Sequence, residues 1–329
     1  MYEVVITTDI ADDEFISIAK DVLKDFANVQ QIICHTEEDL IKNLQNADAT
    51  ISIFEPFTEK VFAALPNLKF VSVSGVGFNF IDVKAAAAHG VGVCNNPHYC
   101  VDEVADHTVA LILALERKLT DYYLAVKEEK VWNSFAQKGH IRRLSTQTVG
   151  LIGFGNIARR VCKRMQAFGC PVIAYDPFVN QESADPYNVK MVKLEELYKN
   201  ADIISLHLPL MDSTKGMIDK KAFEIMSSKK PYFINCSRGG VVDENALVNA
   251  LRTGQLSGAG IDAITSENPD CNNLPLAELG TNVIVTPHAA FLSDDALKEQ
   301  KITTSQFIKD FILGNVNAVP VVNGVKSCK

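Results

Sequence analysis

Short apolar runs recur along the whole chain and alternate with stretches in which apolar positions return every three or four residues. In the first third, EVVIT, QQIIC, ATISIF, FVSVSG and GVGVCN predict strands with helical segments between them. A second series, LIGF, VIAYD, DIISLHL, YFINCS, GAGID and NVIVTP, runs from Thr148 to about His288. Strand and helix alternating in this way predict an α/β protein with two doubly wound parallel sheets. From Val101 to about Glu129 the pattern changes. The stretch VADHTVALILALERKL is apolar over more than one stripe, which predicts a long helix buried on several sides, between domains or between subunits. Asn95, Asn96 and Pro97 punctuate the chain just before it. After Ser293 comes a last helix, DDALKEQKITTSQFIKDFIL, and a helix following the final strand of the second series is expected to return to the first domain. The expected division is 1–99 plus 293–329 as one discontinuous domain, and 100–292 as the other.

The second series opens with TVGLIGFGNIARRVCKRMQAFGCPVIAYD, Thr148 to Asp176. Strand, glycine turn, helix, strand and acid at this spacing form a dinucleotide-binding fingerprint. Gly153 allows the tight turn, and Gly155 lets the backbone approach a pyrophosphate. The N–H groups of Asn156 and Ile157 then face the diphosphate at the positive end of the helix. Ala158 stands at the third glycine position, where only close helix–strand packing is needed. Asp176 is placed to accept from both ribose hydroxyls and to repel a 2′-phosphate. Pro177 and Phe178 follow it without a cation, so the cofactor reads as NAD rather than NADP.

Composition narrows the class. The 329 residues suffice for about two domains, and a formal net charge of −8 argues against a general nucleic-acid-binding face. No apolar run approaches the roughly 20 residues of a membrane helix, and MYEVVITTDIADDE has no signal-peptide character, so a cytoplasmic protein is expected. The eight cysteines include no CxxC pair and mostly sit in apolar runs, which reads as reduced, buried thiols rather than a disulfide framework or a metal site.

Three loops follow the later strands of the second series, where open α/β sheets bind their ligands. They are INCSRGGVVDENAL with Arg238, GAGIDAITSENP with Asp262 and Glu267, and VIVTPHAAF with His288. An arginine, a glutamate and a histidine at three such strand ends make a coherent redox set. These motifs resemble the D-2-hydroxyacid dehydrogenase family. The resemblance extends through SVSGVGFNFIDVKAAAAHGVGVCNNP and YCVDEVADHTVALILAL, so it covers nearly the whole chain. TPHAAF and YCVDEVADHT look most like the branch that holds the NAD-sensing C-terminal-binding co-repressors and their bacterial enzyme relatives.

The resemblance implies a Rossmann NAD domain, a smaller flavodoxin-like lid or substrate domain, and reversible reduction of a 2-oxo acid. His288 would be the acid/base, Glu267 would keep it protonated and oriented, and Arg238 would bind the substrate carboxylate and polarise the carbonyl. Amides of the turn Ser74, Gly75, Val76 and Gly77 would take the other end of the carboxylate. Asp262 would accept from the nicotinamide carboxamide. Leu208, Pro209 and Thr214 would line the nicotinamide side, with Cys236 and Ser237 also at the cofactor. His98, His107 and His207 are left as ordinary structural histidines. The chain departs from the family pattern at Asn268, which intervenes between Glu267 and Pro269, and at GVGFNF, where Asn79 and Phe80 replace the commoner residues.

Relatives that handle phosphoglycerate carry arginines after the third lid strand, whereas this segment reads ISIFEPF, with Phe54 and Glu55. No regulatory domain of the kind many of those enzymes carry is expected after the last helix. A phosphate without a cation is disfavoured. The expected substrate is therefore a small non-phosphorylated acid such as hydroxypyruvate, glyoxylate or an aliphatic 2-oxo acid, with Phe54 and Phe291 shaping the pocket. Phosphoglycerate dehydrogenation and an NAD(H)-sensing binding protein of the co-repressor type are the alternatives, and formate oxidation has little support. A homodimer through the helix from Val101 is expected.

Overall fold

The structure is a computed structural model that describes residues 1–266 and 268–326. Its internal contacts divide the chain into two compact units, Met1–Cys100 with Ser293–Lys329, and Val101–Leu292.

The first unit begins with β1 (Tyr2–Ile6), α1 (Asp13–Leu23), β2 (Ala27–Gln31), α2 (Glu37–Asn43), β3 (Ala49–Ser52), α3 (Glu59–Ala64), β4 (Phe70–Val73), α4 (Val83–Ala88) and β5 (Gly92–Cys94). The sheet is parallel throughout, in the order β2-β1-β3-β4-β5. This is the flavodoxin-like order, with its switch point between β1 and β3. Helix starts follow local chemistry: Asp12 accepts from Phe15 N at 2.8 Å, and Thr36 and Asp39 form a reciprocal capping box. One strand departs from the sequence expectation. β2 occupies ANVQQ rather than QQIIC, because Ile32 and Cys34 bond to Ile6 O and Thr7 O outside the regular ladder while Cys34 turns into the core beside Leu40 and Leu44.

The second unit begins with α5 (Val101–Glu116), and here the expected single long helix is corrected. Lys118 takes a left-handed φ of 55° and a separate α6 (Leu119–Lys127) follows. The break is held by Lys118 Nζ, 2.9 Å from the Tyr232 hydroxyl. Then come β6 (Val149–Ile152), α7 (Asn156–Ala167), β7 (Val172–Tyr175), α8 (Gln181–Ala184), β8 (Lys190–Met191), α9 (Leu194–Asn200), β9 (Ile203–Leu206), α10 (Lys220–Met226), β10 (Tyr232–Asn235), α11 (Glu244–Arg252), β11 (Gly258–Ile261) and β12 (Val283–Val285). All strands are parallel, in the order β12-β11-β10-β9-β6-β7-β8. Counted from β6, this is the nucleotide-binding order extended by one strand, and it reverses between β6 and β9. The strands β6, β9, β10 and β11 are buried along their whole length, as a sheet covered by helices on both faces requires.

The chain then returns to the first unit through α12 (Asp294–Ile312), capped by Ser293 Oγ accepting from Ala296 N at 3.0 Å. Phe311 stacks on Phe70 with ring centroids 4.1 Å apart, and Lys301 Nζ reaches Asp12 at 3.0 Å and Glu14 at 2.5 Å in the first turns of α1. Among the described residues, Cys34, Cys94, Cys100, Cys162, Cys170 and Cys236 are buried cysteines and Cys271 is exposed. No helix of the described residues is long and apolar enough to cross a membrane.

Candidate active site

Among the described residues, those of the second unit selected from sequence lie in the loops and turns that follow the carboxyl ends of strands. After β6, Gly153 has φ 90°, and a Cβ there would run into the backbone carbonyl of His207. Only glycine makes this turn without strain. At Gly155 a Cβ would meet nothing within 4 Å, so the backbone faces open space. No side chain caps the start of α7, which leaves the positive end of a twelve-residue helix open to an anion. Asn156 and Ile157 are its first two residues, and Ala158 is fully buried beneath them. At the end of β7, Asp176 accepts from Phe154 N at 2.9 Å and from Phe178 N at 2.8 Å. The acid thus ties the second strand to the glycine turn and keeps its charge beside it. A glycine cradle, an open helix end and a fixed carboxylate are the features a dinucleotide's pyrophosphate and ribose need, and the residues present fit that group.

Past β9, His207 lies under the turn, its Nε2 3.0 Å from Ser205 Oγ. Burial pushes its imidazole down to about 3, so the ring is neutral. Leu208 and Pro209 follow, and the Thr214 hydroxyl donates to Pro209 O at 2.7 Å while accepting from Met211 N, which folds this loop back on itself. At the end of β10, the buried Asn235 has a role the sequence reading missed. Its carbonyl oxygen accepts from Ser237 N and Ser237 Oγ, and its amide donates to Arg238 O and Ala263 O, joining the loops after β10 and β11. The only local signal was an asparagine closing an otherwise apolar strand. Burial raises the Cys236 thiol to about 12, which leaves it inert as a nucleophile. Arg238 is half-buried and its Nη1 donates to Ser237 O at 2.7 Å. Gly239 packs so closely on the Ile264 backbone that a Cβ there would overlap it. The arginine loop is therefore locked to the one after β11.

Asp262, expected at the nicotinamide, also has partners within its own unit. It is 2% exposed, and its carboxylate is taken up within the unit: Oδ1 accepts from Thr286 Oγ1 at 2.6 Å and Ala289 N at 2.9 Å, and Oδ2 from Ala290 N at 3.0 Å. Its backbone oxygen accepts from His288 N at 2.9 Å. Asp262 thus braces the segment that carries His288. That residue has φ 51°, a left-handed backbone uncommon outside glycine, and its ring meets Phe291 edge-on at 6.4 Å. Glu267 lies outside the described residues.

In the first unit, Phe54 follows β3 and is 53% exposed, with its ring 6.1 Å from that of Phe80. Glu55 beside it is buried, and its carboxylate accepts from Ser52 Oγ and from the N–H groups of Ile53 at 2.8 Å and Phe54 at 3.2 Å. The anion-binding nest at this strand end is filled by the chain's own carboxylate. The turn after β4 needs one correction. Ser74 N donates to Ser52 O at 2.8 Å as part of the sheet, which leaves Gly75, Val76 and Gly77 as the candidate amides. The carbonyls of this turn are tied down by Gln300 Nε2 at Ser74 O, Asn96 N at Gly75 O and Asn95 Nδ2 at Val76 O.

Comparison with known proteins agrees with this geometry. The family model described as D-isomer specific 2-hydroxyacid dehydrogenase, NAD binding domain, matches residues 109–290. Among curated proteins, the chain is 34% identical over 309 residues to a D-3-phosphoglycerate dehydrogenase of Synechocystis sp., covering 92% of this chain and 53% of that protein. The corresponding protein of Bacillus subtilis is 34% identical over 293 residues, covering 86% and 54%. The chain spans about half the length of the curated relatives it matches. Among solved structures, a D-lactate dehydrogenase from Aquifex aeolicus complexed with NAD and lactic acid has a TM-score of 0.87 at 29% identity, covering 98% of this chain and 99% of that one. A D-2-hydroxyisocaproate dehydrogenase has a TM-score of 0.80 at 26% identity, covering 98% and 100%.

Proposed function

The chain belongs to the D-isomer-specific 2-hydroxyacid dehydrogenase family, and from that premise we propose an NAD-dependent dehydrogenase acting on a small, non-phosphorylated 2-oxo acid. One observation carries the reading: Arg238, Asp262 and His288 sit past the ends of three adjacent parallel strands, with His288 pinned by Asp262. Held at the turn of Gly153 and Gly155, the open start of α7 and Asp176, NADH would supply the hydride for the carbonyl carbon. The His288 imidazolium gives its proton to the carbonyl oxygen and yields a 2-hydroxy acid; in the reverse direction it takes that proton back. Arg238 pairs with the substrate carboxylate, and Glu267 is the family-implied partner of the imidazole. The unit of 1–100 and 293–329 is the substrate unit, in which the amides of Gly75, Val76 and Gly77 take a carboxylate oxygen. His288→Asn is expected to lower kcat by about 10²–10⁴-fold while leaving NADH affinity within about threefold.

The filled nest at Glu55 supports a substrate without a phosphate, since a buried carboxylate there would repel a dianion. The curated relatives favour phosphoglycerate as a second reading. Steady-state NADH oxidation on glyoxylate, hydroxypyruvate, pyruvate, longer aliphatic 2-oxo acids and 3-phosphohydroxypyruvate decides between them. The small acids are expected to give the higher kcat/KM, and a lead for the phosphorylated acid overturns the proposal.

The protein is further proposed to act in the cytoplasm as a homodimer, with the contact moved away from α5. That helix spends its broad apolar surface inside its own unit, against α7, β10 and β11. Exposed apolar side chains lie close together in sequence on α6 and just beyond it, at Leu119, Tyr123, Val126, Trp132 and Phe135. A monomeric mass at micromolar concentration would sink the dimer.

A further inference from the structure

Helix α5 places His107 Nε2 3.0 Å from Thr286 Oγ1 and 3.6 Å from Asp262 Oδ1. The Thr286 hydroxyl has one proton, and its 2.6 Å contact is with a carboxylate, which only accepts. That proton therefore points to Asp262, and the Thr286 oxygen must be the acceptor toward His107. The His107 ring is thus fixed with a proton on Nε2, and the chain of bonds runs one way, from His107 to Thr286 to Asp262. Beyond Asp262 the same residue collects the N–H groups of His288, Ala289 and Ala290, three successive peptides. We propose that His107 is a positioning residue for proton transfer: through Thr286 and Asp262 it holds the backbone from which His288 projects. The inference rests on the reading of His288 as the proton donor.

The physical need is visible in the backbone. His288 has φ 51°, a conformation that a side chain larger than glycine keeps only when its surroundings over-determine it. Asp262 supplies that determination. Its charge is held in a site 2% exposed by the hydroxyl and the two amides. Without a donor at position 107 the Thr286 oxygen loses its partner, the bond it gives Asp262 weakens, and the segment 288–290 gains freedom.

Three variants test this. His107→Leu removes the N–H, His107→Gln restores an N–H of similar reach, and Thr286→Val removes the hydroxyl at constant shape. His107→Leu and Thr286→Val are each expected to lower kcat by about tenfold with the NADH Kd within about twofold of wild type. His107→Gln should recover to within about threefold, and the Leu/Val double variant should be no worse than either single one. A separate readout needs no turnover. Long-range ¹H–¹⁵N spectra of histidine-labelled protein should show His107 protonated on Nε2, and the His288 ring resonances should move in the Leu variant but not in the Gln variant. If no 2-oxo acid is turned over by the wild type, the proposed function fails, while these spectra still decide whether the linkage exists. An unprotonated His107 Nε2, full kcat in His107→Leu, or an equal loss in NADH affinity overturns the inference.

Discussion

The turns after β6 and after β4 read alike, GFGN and GVGF, and each leaves a buried strand of a doubly wound parallel sheet. Their backbones are committed in opposite ways. In the first, Gly153 is forced to φ 90° beneath the His207 carbonyl, and an uncapped helix of twelve residues stands directly behind. In the second, neither Gly75 nor Gly77 has a positive φ, the carbonyls are anchored by Asn95, Asn96 and Gln300, and the next helix starts only at Val83, capped by Asp82. A glycine pair after a strand signals close approach to the backbone. What approaches is decided by the groups behind it. A helix end suits the spread charge of a diphosphate, whereas a few amides held by their own carbonyls suit one carboxylate.

The largest expected effect sets these turns against each other directly. Gly153→Ala forces a Cβ into the His207 carbonyl and should weaken NADH binding by about a hundredfold, roughly 2.7 kcal/mol. Gly75→Ala meets open space and should leave NADH affinity within about threefold. Fluorescence titration of NADH measures both, and similar losses in the two variants would break the comparison. Next, Asp176→Ala removes the acceptor from the nucleotide turn. NADH affinity should fall about tenfold and NADPH affinity should rise relative to it; an unchanged ratio would remove Asp176 from cofactor choice.

Asn95→Ala sharpens the other side by releasing the Val76 carbonyl. The KM for the 2-oxo acid should rise about fivefold with NADH Kd unchanged. A shift in NADH Kd instead would mean that this turn serves the nucleotide. The smallest effect is one of pH. The His207 pKa is depressed to about 3, so its stabilising contribution is complete above the unfolded value of roughly 6.5 and is lost as pH falls toward 3. Between pH 6 and pH 4, the Tm of wild type should fall by a few degrees more than that of His207→Leu. Parallel Tm profiles would show that this ring does not resist protonation.

The fold class was legible because both halves announce themselves locally, by strand runs at regular spacing and by a glycine turn tied to Asp176. The loops holding Arg238 and His288 were legible too, as polar residues placed just past apolar strands. What sequence did not reveal depends on partners far away along the chain. Lys118 breaks the α5–α6 stretch because Tyr232 receives its ammonium, and nothing in the local periodicity carries that contact. His107 looked like an ordinary helical histidine because Thr286 lies 179 residues further on. The resemblance put Asp262 at the nicotinamide, but the backbone amides of Ala289 and Ala290 that take up its carboxylate carry no side-chain signal to read. The two-residue β8 was missed because so short an edge strand has no alternation to detect.

The return of α12 has a consequence for how the molecule is made. Phe70 and Gly92 are covered by Phe311, and Lys301 is the partner of Asp12 and Glu14, so the first sheet is sealed by a helix that is added only after the whole of Val101–Leu292. During translation, Val101–Leu292 emerges as an uninterrupted segment and has all its strands before α12 exists. The order of completion therefore runs against the order of synthesis, and the nascent N-terminal sheet must wait with its aromatic face unsealed for the whole nucleotide unit to pass.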